Sequence, residues 1–232
     1  MAAHLSSRFL LPAAACLALT ALVAGGARAD EPVTRLAWSE GFRVRPGWGD
    51  PSGHGAEELT RVYSVQREGE ASWLHARHDA QSGKTPAMHF GHALANDGVP
   101  LEKVRALRFK WRVLQHPRVG ADPWLDVGAS VYVVFEKPGI FSGGKGFKLG
   151  WLAKPGPRGT HQRGLLQLAL RADPSGPTWQ SESVDLCALY RAEYGGGCAG
   201  QRVRYVGVVT DADGTKSVAE ADYDDFELVL GP

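Results

Sequence analysis

Apolar and polar positions alternate with a period of two along most of this chain, where a helical period does not recur. Leu107, Phe109, Trp111 and Val113 form one face of a strand whose other face is Arg108, Lys110 and Arg112. Val127, Ala129, Val131, Val133 and Phe135 alternate in the same way with Gly128, Ser130, Tyr132 and Val134. Six further runs carry the pattern: Arg61–Val65, Trp73–Arg77, Phe147–Leu152, Leu165–Arg171, Val203–Thr210 and Tyr223–Leu230. They are short, rich in β-branched and aromatic residues, and separated by Gly, Pro, Asp and Asn clusters, which is the signature of a sandwich or barrel. Ala87–Leu94 is expected to make one or two helical turns, and Val184–Tyr194 a short helix stopped by the glycines that follow. The segments Pro138–Gly146 and Pro155–His161 read as long loops, the usual place for a binding site on a β-scaffold.

The N-terminus departs from this pattern. Arg8, an apolar run from Phe9 to Val23 and a small-residue end at Ala27-Arg28-Ala29 predict a cleavable signal peptide over 1–29, with one domain over 30–232. The apolar run is too short for a membrane span. A lipoprotein box at Ala13–Cys16 is the rival reading, although it would leave Leu17–Val23 in the mature chain. A periplasmic or secreted protein without a transmembrane anchor is the expectation. Loss of the leader removes Arg8 and Arg28 and takes the net charge from +1 to about −1. A near-neutral chain with interspersed signs offers no field for a phosphate polyanion, so nucleic acid is not an expected partner. Cys16 leaves with the leader. Cys187 and Cys198 then remain, and in an oxidising compartment a lone pair is most simply a disulfide, zinc being the poorer alternative.

Three stretches, Leu107–Val113 with Gly120-Ala121-Asp122, Val131–Phe135, and Thr210–Thr215 leading into Ala221–Phe226, together resemble a family of exported bacterial proteins known only as a domain of unknown function. That resemblance spans roughly Leu36 to Leu230 and implies no reaction. The ends of the domain, Trp38–Phe42 with Trp48 and Tyr223–Leu228, are similar to those of galactose-binding-like jelly rolls, the architecture of many carbohydrate-binding modules. Where such modules hold a structural calcium, Glu40 with Asp224 or Asp225 would be the matching ligands, although Arg43 and Arg45 stand where further acids usually do.

Several residue clusters offer candidate chemistry. Asp211, Asp213, Asp222, Asp224 and Asp225 suit calcium, but Asp and Gly are also what turns require. His75, His78, His89 and His92 lie close in sequence, yet His75 and His78 would face opposite sides of a regular strand. There is no Gly-x-Ser-x-Gly elbow, and Ser142-Gly143-Gly144-Lys145 lacks the spacing of a phosphate-binding loop. Arg108, Lys110 and Arg112, joined by Lys148 and Arg204 and combined with Trp124, Tyr132 or Trp151, could hold an acidic sugar; otherwise they are a solvated sheet face.

The expectation is an all-β, antiparallel jelly-roll-like β-sandwich acting as a non-catalytic domain that binds a glycan or envelope polymer. Two alternatives stand beside it. One is a polysaccharide-acting hydrolase or lyase using acids such as Asp122, Asp126, Asp211 or Asp213. The other is a structural or interaction protein without a small ligand.

Overall fold

A computed structural model describes residues 35–43, 47–83, 85–137, 144–156, 161–162 and 164–231. The expected leader with Cys16, Arg45, Ser142 and most of the two long loops lie outside the described residues. In chain order the strands are β1 (Leu36–Glu40), β2 (Tyr63–Glu68), β3 (Ala71–Asp79), β4 (Phe90–Ala93), β5 (Val99–Pro100), β6 (Val104–Gln115) and β7 (Ala129–Glu136). They continue as β8 (Lys145–Leu152), β9 (His161–Gln162), β10 (Leu165–Ala172), β11 (Gln180–Val184), β12 (Arg202–Val203), β13 (Tyr205–Val209) and β14 (Val218–Leu230). Two helices accompany them, α1 (Ala56–Leu59) and α2 (Leu186–Tyr194).

Two six-stranded sheets face each other in a jelly-roll-like sandwich. The first runs β11-β6-β14-β3-β2, with β1 also on β14; the second runs β4-β13-β7-β8-β10-β9. Pairing is antiparallel apart from β8 with β10, which is parallel. The alternation read from the sequence sets the faces. Leu107, Phe109, Trp111 and Val113 of β6 and Val131, Val133 and Phe135 of β7 are all buried in the interior between the sheets. Strand β14 contributes Tyr223 from one parity and Phe226 and Leu228 from the other. The switch occurs at a register shift between Asp224 and Glu227, where Asp225 has φ 50°, a bulge that re-aims the strand.

The Ala87–Leu94 expectation is corrected. Phe90–Ala93 pairs with β13 as strand β4, because Phe90 must stack on Tyr63 inside while Gly91 lies against Gly207. Helix α2 forms where expected. Asp185 caps it by accepting from Ala188 N at 2.8 Å, and it ends at Gly195, φ 71°. Cys187 and Cys198 are disulfide-bonded, tying the helix to the loop after it. Tyr194 Oη donates to Gly146 O at 2.6 Å and accepts from Gly146 N at 3.0 Å, which fastens α2 to the start of β8. Among the described residues no helix is long and apolar enough to cross a membrane.

Candidate active groove

The outer face of the second sheet, not that of the first, carries the concave site. On this face the strands present Tyr132 and Val134 from β7, Lys148 from β8, Leu165 from β10, Tyr205 and Gly207 from β13, and Gly91 and Ala93 from β4. A groove of about 700 Å³ lies over Tyr132, Val134, Leu165, Tyr205, Gly91 and Ala93, walled by His89 and by the turn Gly47–Ser52.

Tyr205 lies flat across two glycines. A Cβ on Gly91 would come within 2.3 Å of its hydroxyl, and one on Gly207 within 2.4 Å. Those glycines let the ring run along the sheet toward Tyr132, with which it packs. Its hydroxyl is buried and has no hydrogen-bond partner, an unusual state for a buried polar atom. Burial raises its pKa, with Asp50 and Tyr132 adding to the shift, so the phenol keeps its proton. His89 meets Tyr132 edge-on at 4.5 Å. Burial lowers the pKa of His89 and Lys148 lowers it further, against the opposing pull of Asp50, so the imidazole is neutral near pH 7. Asp50 is held from behind by His54 and by Ser52 N at 2.7 Å. Two proton-transfer groups pushed in opposite directions thus face one groove, the pattern expected of an acid and a base.

Lys148 stands behind this pair, 5.9 Å over the Tyr132 ring. Burial depresses its pKa, opposed by Asp211, Asp126 and Asp122. Asp211 is raised to about 6, first by burial and then by Asp213 and Asp126, while its hydrogen bond from Asp213 N and the charge of Lys148 oppose the shift.

The residues singled out in the sequence fall in several places. Arg108, Lys110 and Arg112 project from the outer face of the first sheet and are engaged in ion pairs: Arg108 with Glu227 at 3.8 Å, Lys110 with Asp225 at 2.6 Å, Arg112 with Asp222 at 2.7 Å. Arg112 also lies 4.6 Å over Trp179 and 5.6 Å over Trp73. Trp151 is in the core, 5.5 Å from Trp111. Trp124 is buried with Val127 and Leu152 over Gly150. Tyr132 alone of the six lines the groove. The six do not converge, because the sandwich separates the cationic face from Tyr132 and Trp124. Lys148 belongs to the opposite sheet from Arg108, and Arg204 pairs with Asp97 and donates to Phe135 O at 2.9 Å.

The calcium expectation at Glu40, Asp224 and Asp225 is corrected as well. Glu40 accepts from Phe42 N at 2.6 Å, Asp225 pairs with Lys110 and Asp224 Oδ1 is buried without a partner, and the three are not a group whose oxygens all lie within 4.8 Å of one another. Among the described residues only Asp126, Asp211 and Asp213 bring carboxylate oxygens within 4.8 Å of one another. Their oxygens serve backbone donors: Asp126 takes Gly214 N at 2.9 Å and Thr215 N at 2.7 Å, and Asp213 takes Ala87 N at 3.1 Å. This is turn chemistry, and Lys148 supplies positive charge nearby. Asp122 likewise accepts from Trp124 N at 2.8 Å. The four histidines disperse. His75 bonds Asp222 at 2.7 Å on the first sheet. His78 is in the interior, accepting from Ala212 N at Nδ1 and donating to Thr85 O from Nε2. His92 stacks on Trp38. Of the residues that make the groove, Asp50, His54 and Tyr205 were not singled out in the sequence. The signal available was Gly91 and the Tyr205-Val206-Gly207 pattern, small residues opposite a large one on the same strand face.

No family model matches the chain, and no curated protein matches it. Solved structures with a similar fold include endoglucanase 3 of family GH12 from Trichoderma harzianum, at 13% identity, covering 89% of this chain and 100% of that one with a TM-score of 0.44. Endoglucanase Cel12A from Rhodothermus marinus matches at 12% identity, covering 73% and 86%, TM-score 0.45. The catalytic domain of Humicola grisea Cel12A matches at 12%, covering 69% and 80%, TM-score 0.41. Against the expectation of a non-catalytic binding domain, these proteins of similar fold are named endoglucanases, one of them a catalytic domain; the likeness to this chain is one of fold. The cationic strand face on which that expectation leaned is also occupied by ion pairs.

Proposed function

We propose that the protein is an enzyme that cleaves a polysaccharide chain in the groove over Tyr132 and Tyr205. The observation that carries this reading is Tyr205, which lines the same groove as His89 and whose buried hydroxyl has no partner. A glycosidic oxygen is the acceptor such a phenol lacks, and a neutral imidazole is the base that the complementary proton transfer needs. The Tyr132 and Tyr205 rings offer apolar faces for sugar rings, with few polar groups converging among them, as in other small-molecule sites. Asp50 and His54 orient the wall beside His89 rather than reacting. The disulfide suits an oxidising compartment, consistent with a protein that acts outside the cytoplasm.

The test is release of new reducing ends from a panel of neutral and acidic polysaccharides. Tyr205→Phe and His89→Ala should each lower kcat/KM by roughly 100-fold or more while leaving the thermal unfolding transition cooperative. Full activity in both variants, or no cleavage of any polymer in the panel, would overturn the reading.

A further inference from the structure

We infer that the bond cleaved in this groove is one next to a uronic acid, and that it breaks by β-elimination rather than by hydrolysis. This inference rests on the reading above. Among the described residues lining the groove, Asp50 is the one carboxylate, and its side chain is fully buried against His54 and Ser52 N. Hydrolysis by a facing pair of carboxylates needs a second acid across the sugar, and the lining does not present it.

What the groove does present is positive. Lys137 lines it directly. Lys148 stands behind Tyr132, outside the lining, and Asp211, Asp126 and Asp122 already act on its charge. A sugar carboxylate entering over Tyr132 would therefore be met by Lys137 at the groove's mouth. The same carboxylate makes the proton on its neighbouring carbon acidic, and the Lys137 ammonium stabilises the negative charge that its removal creates.

The step balances without water or an oxidant. His89 takes the proton from the carbon bearing the carboxylate. The electron pair left behind becomes a carbon–carbon double bond to the adjacent ring carbon. The bond from that carbon to the glycosidic oxygen breaks, and the oxygen leaves with its pair and takes the proton of Tyr205. Exchange with solvent returns the proton to Tyr205 and removes it from His89.

Purified protein is incubated with polygalacturonate, alginate and hyaluronate, with their carboxyl-reduced forms, and with neutral glucans. New reducing ends and the ultraviolet absorbance of an unsaturated uronate are followed in parallel. The expected result is equal release of both signals from at least one polyuronate and neither from its carboxyl-reduced form. Lys137→Ala, an exposed position whose loss leaves the fold intact, should raise KM on that polymer roughly 10- to 100-fold. Reducing ends without absorbance would overturn the inference and leave polysaccharide cleavage standing. Cleavage of the carboxyl-reduced polymer would do the same. Release of neither signal from any polymer would overturn both.

Discussion

Gly207 is the most direct handle on the groove. It lies in β13, between β4 and β7. A Cβ there would sit 2.4 Å from the Tyr205 hydroxyl and 2.7 Å from two further ring atoms, and all three nearest neighbours belong to that one side chain. Gly207→Ala therefore forces the Tyr205 ring off the sheet without touching backbone. Overpacking of a buried ring costs about 2 kcal/mol, which for a chain of this size is a fall of roughly 4–8 °C in Tm. In a Tyr205→Ala background the obstacle is gone, and the same substitution should cost within about 0.5 kcal/mol of nothing. Gly91→Ala is the internal control. Its Cβ would also meet Gly207 Cα at 2.5 Å, so removing Tyr205 should rescue it only in part. Urea unfolding of the four proteins of the Gly207 cycle measures the coupling, and Gly207→Ala should lose kcat/KM at least about tenfold under conditions where it is fully folded. An equal stability loss for Gly207→Ala in both backgrounds would refute the placement of the Tyr205 ring and, with it, of the proton donor.

Four further outcomes are expected. Asp211→Asn should stabilise the protein near pH 7 by up to about 2–3 kcal/mol, since a carboxyl raised to about 6 loses native-state stability as pH rises from its unfolded value through 6; below pH 4 the two proteins should match in urea unfolding. His75, raised chiefly by its hydrogen bond to Asp222, contributes stability that is fully present below pH 6.5 and is lost as pH rises through its higher folded value; His75→Gln should flatten that part of a Tm-against-pH curve. The acid limb of kcat/KM, reporting His89, should fall below pH 6.5, the direction in which burial moves it. Reduction of Cys187–Cys198, or the double Ser variant, should cost about 3 kcal/mol in urea unfolding, the entropy of a short closed loop.

The strands were legible because a half-buried sheet enforces a period of two on the sequence. That is why β6, β7, β8, β10, β13 and β14 lie where alternation put them. Strand β4 was not legible. Its four residues are too short to show a period, and Phe90 and Gly91 carry opposite duties on its two faces. The sheet to which each strand belongs was hidden for a related reason. Arg108 and Lys148 both sit at polar positions of alternating strands, and nothing local distinguishes the outer face of one sheet from that of the other. Strand β6 meets β11 and β14, whose Glu227, Asp225 and Asp222 neutralise its cations. Strand β8 meets β7 and β10 and aims its lysine behind Tyr132.

The same distinction separates the cationic face of the first sheet from the groove of the second. Cations on an exposed strand opposite a strand rich in Asp and Glu satisfy one another, and their presence carries no information about a ligand. Functional polar groups are marked instead by what they lack. Tyr205 reaches its position only because two adjacent strands give up their side chains beneath it, and its hydroxyl arrives there without a partner. Burying an unpaired phenol is unfavourable, and emptying two strand positions to allow it weakens the sheet at those points. A fold selected for stability alone would retain neither feature. Their coincidence on one face, next to His89, is what supports the proposal that the second sheet rather than the first is the working surface.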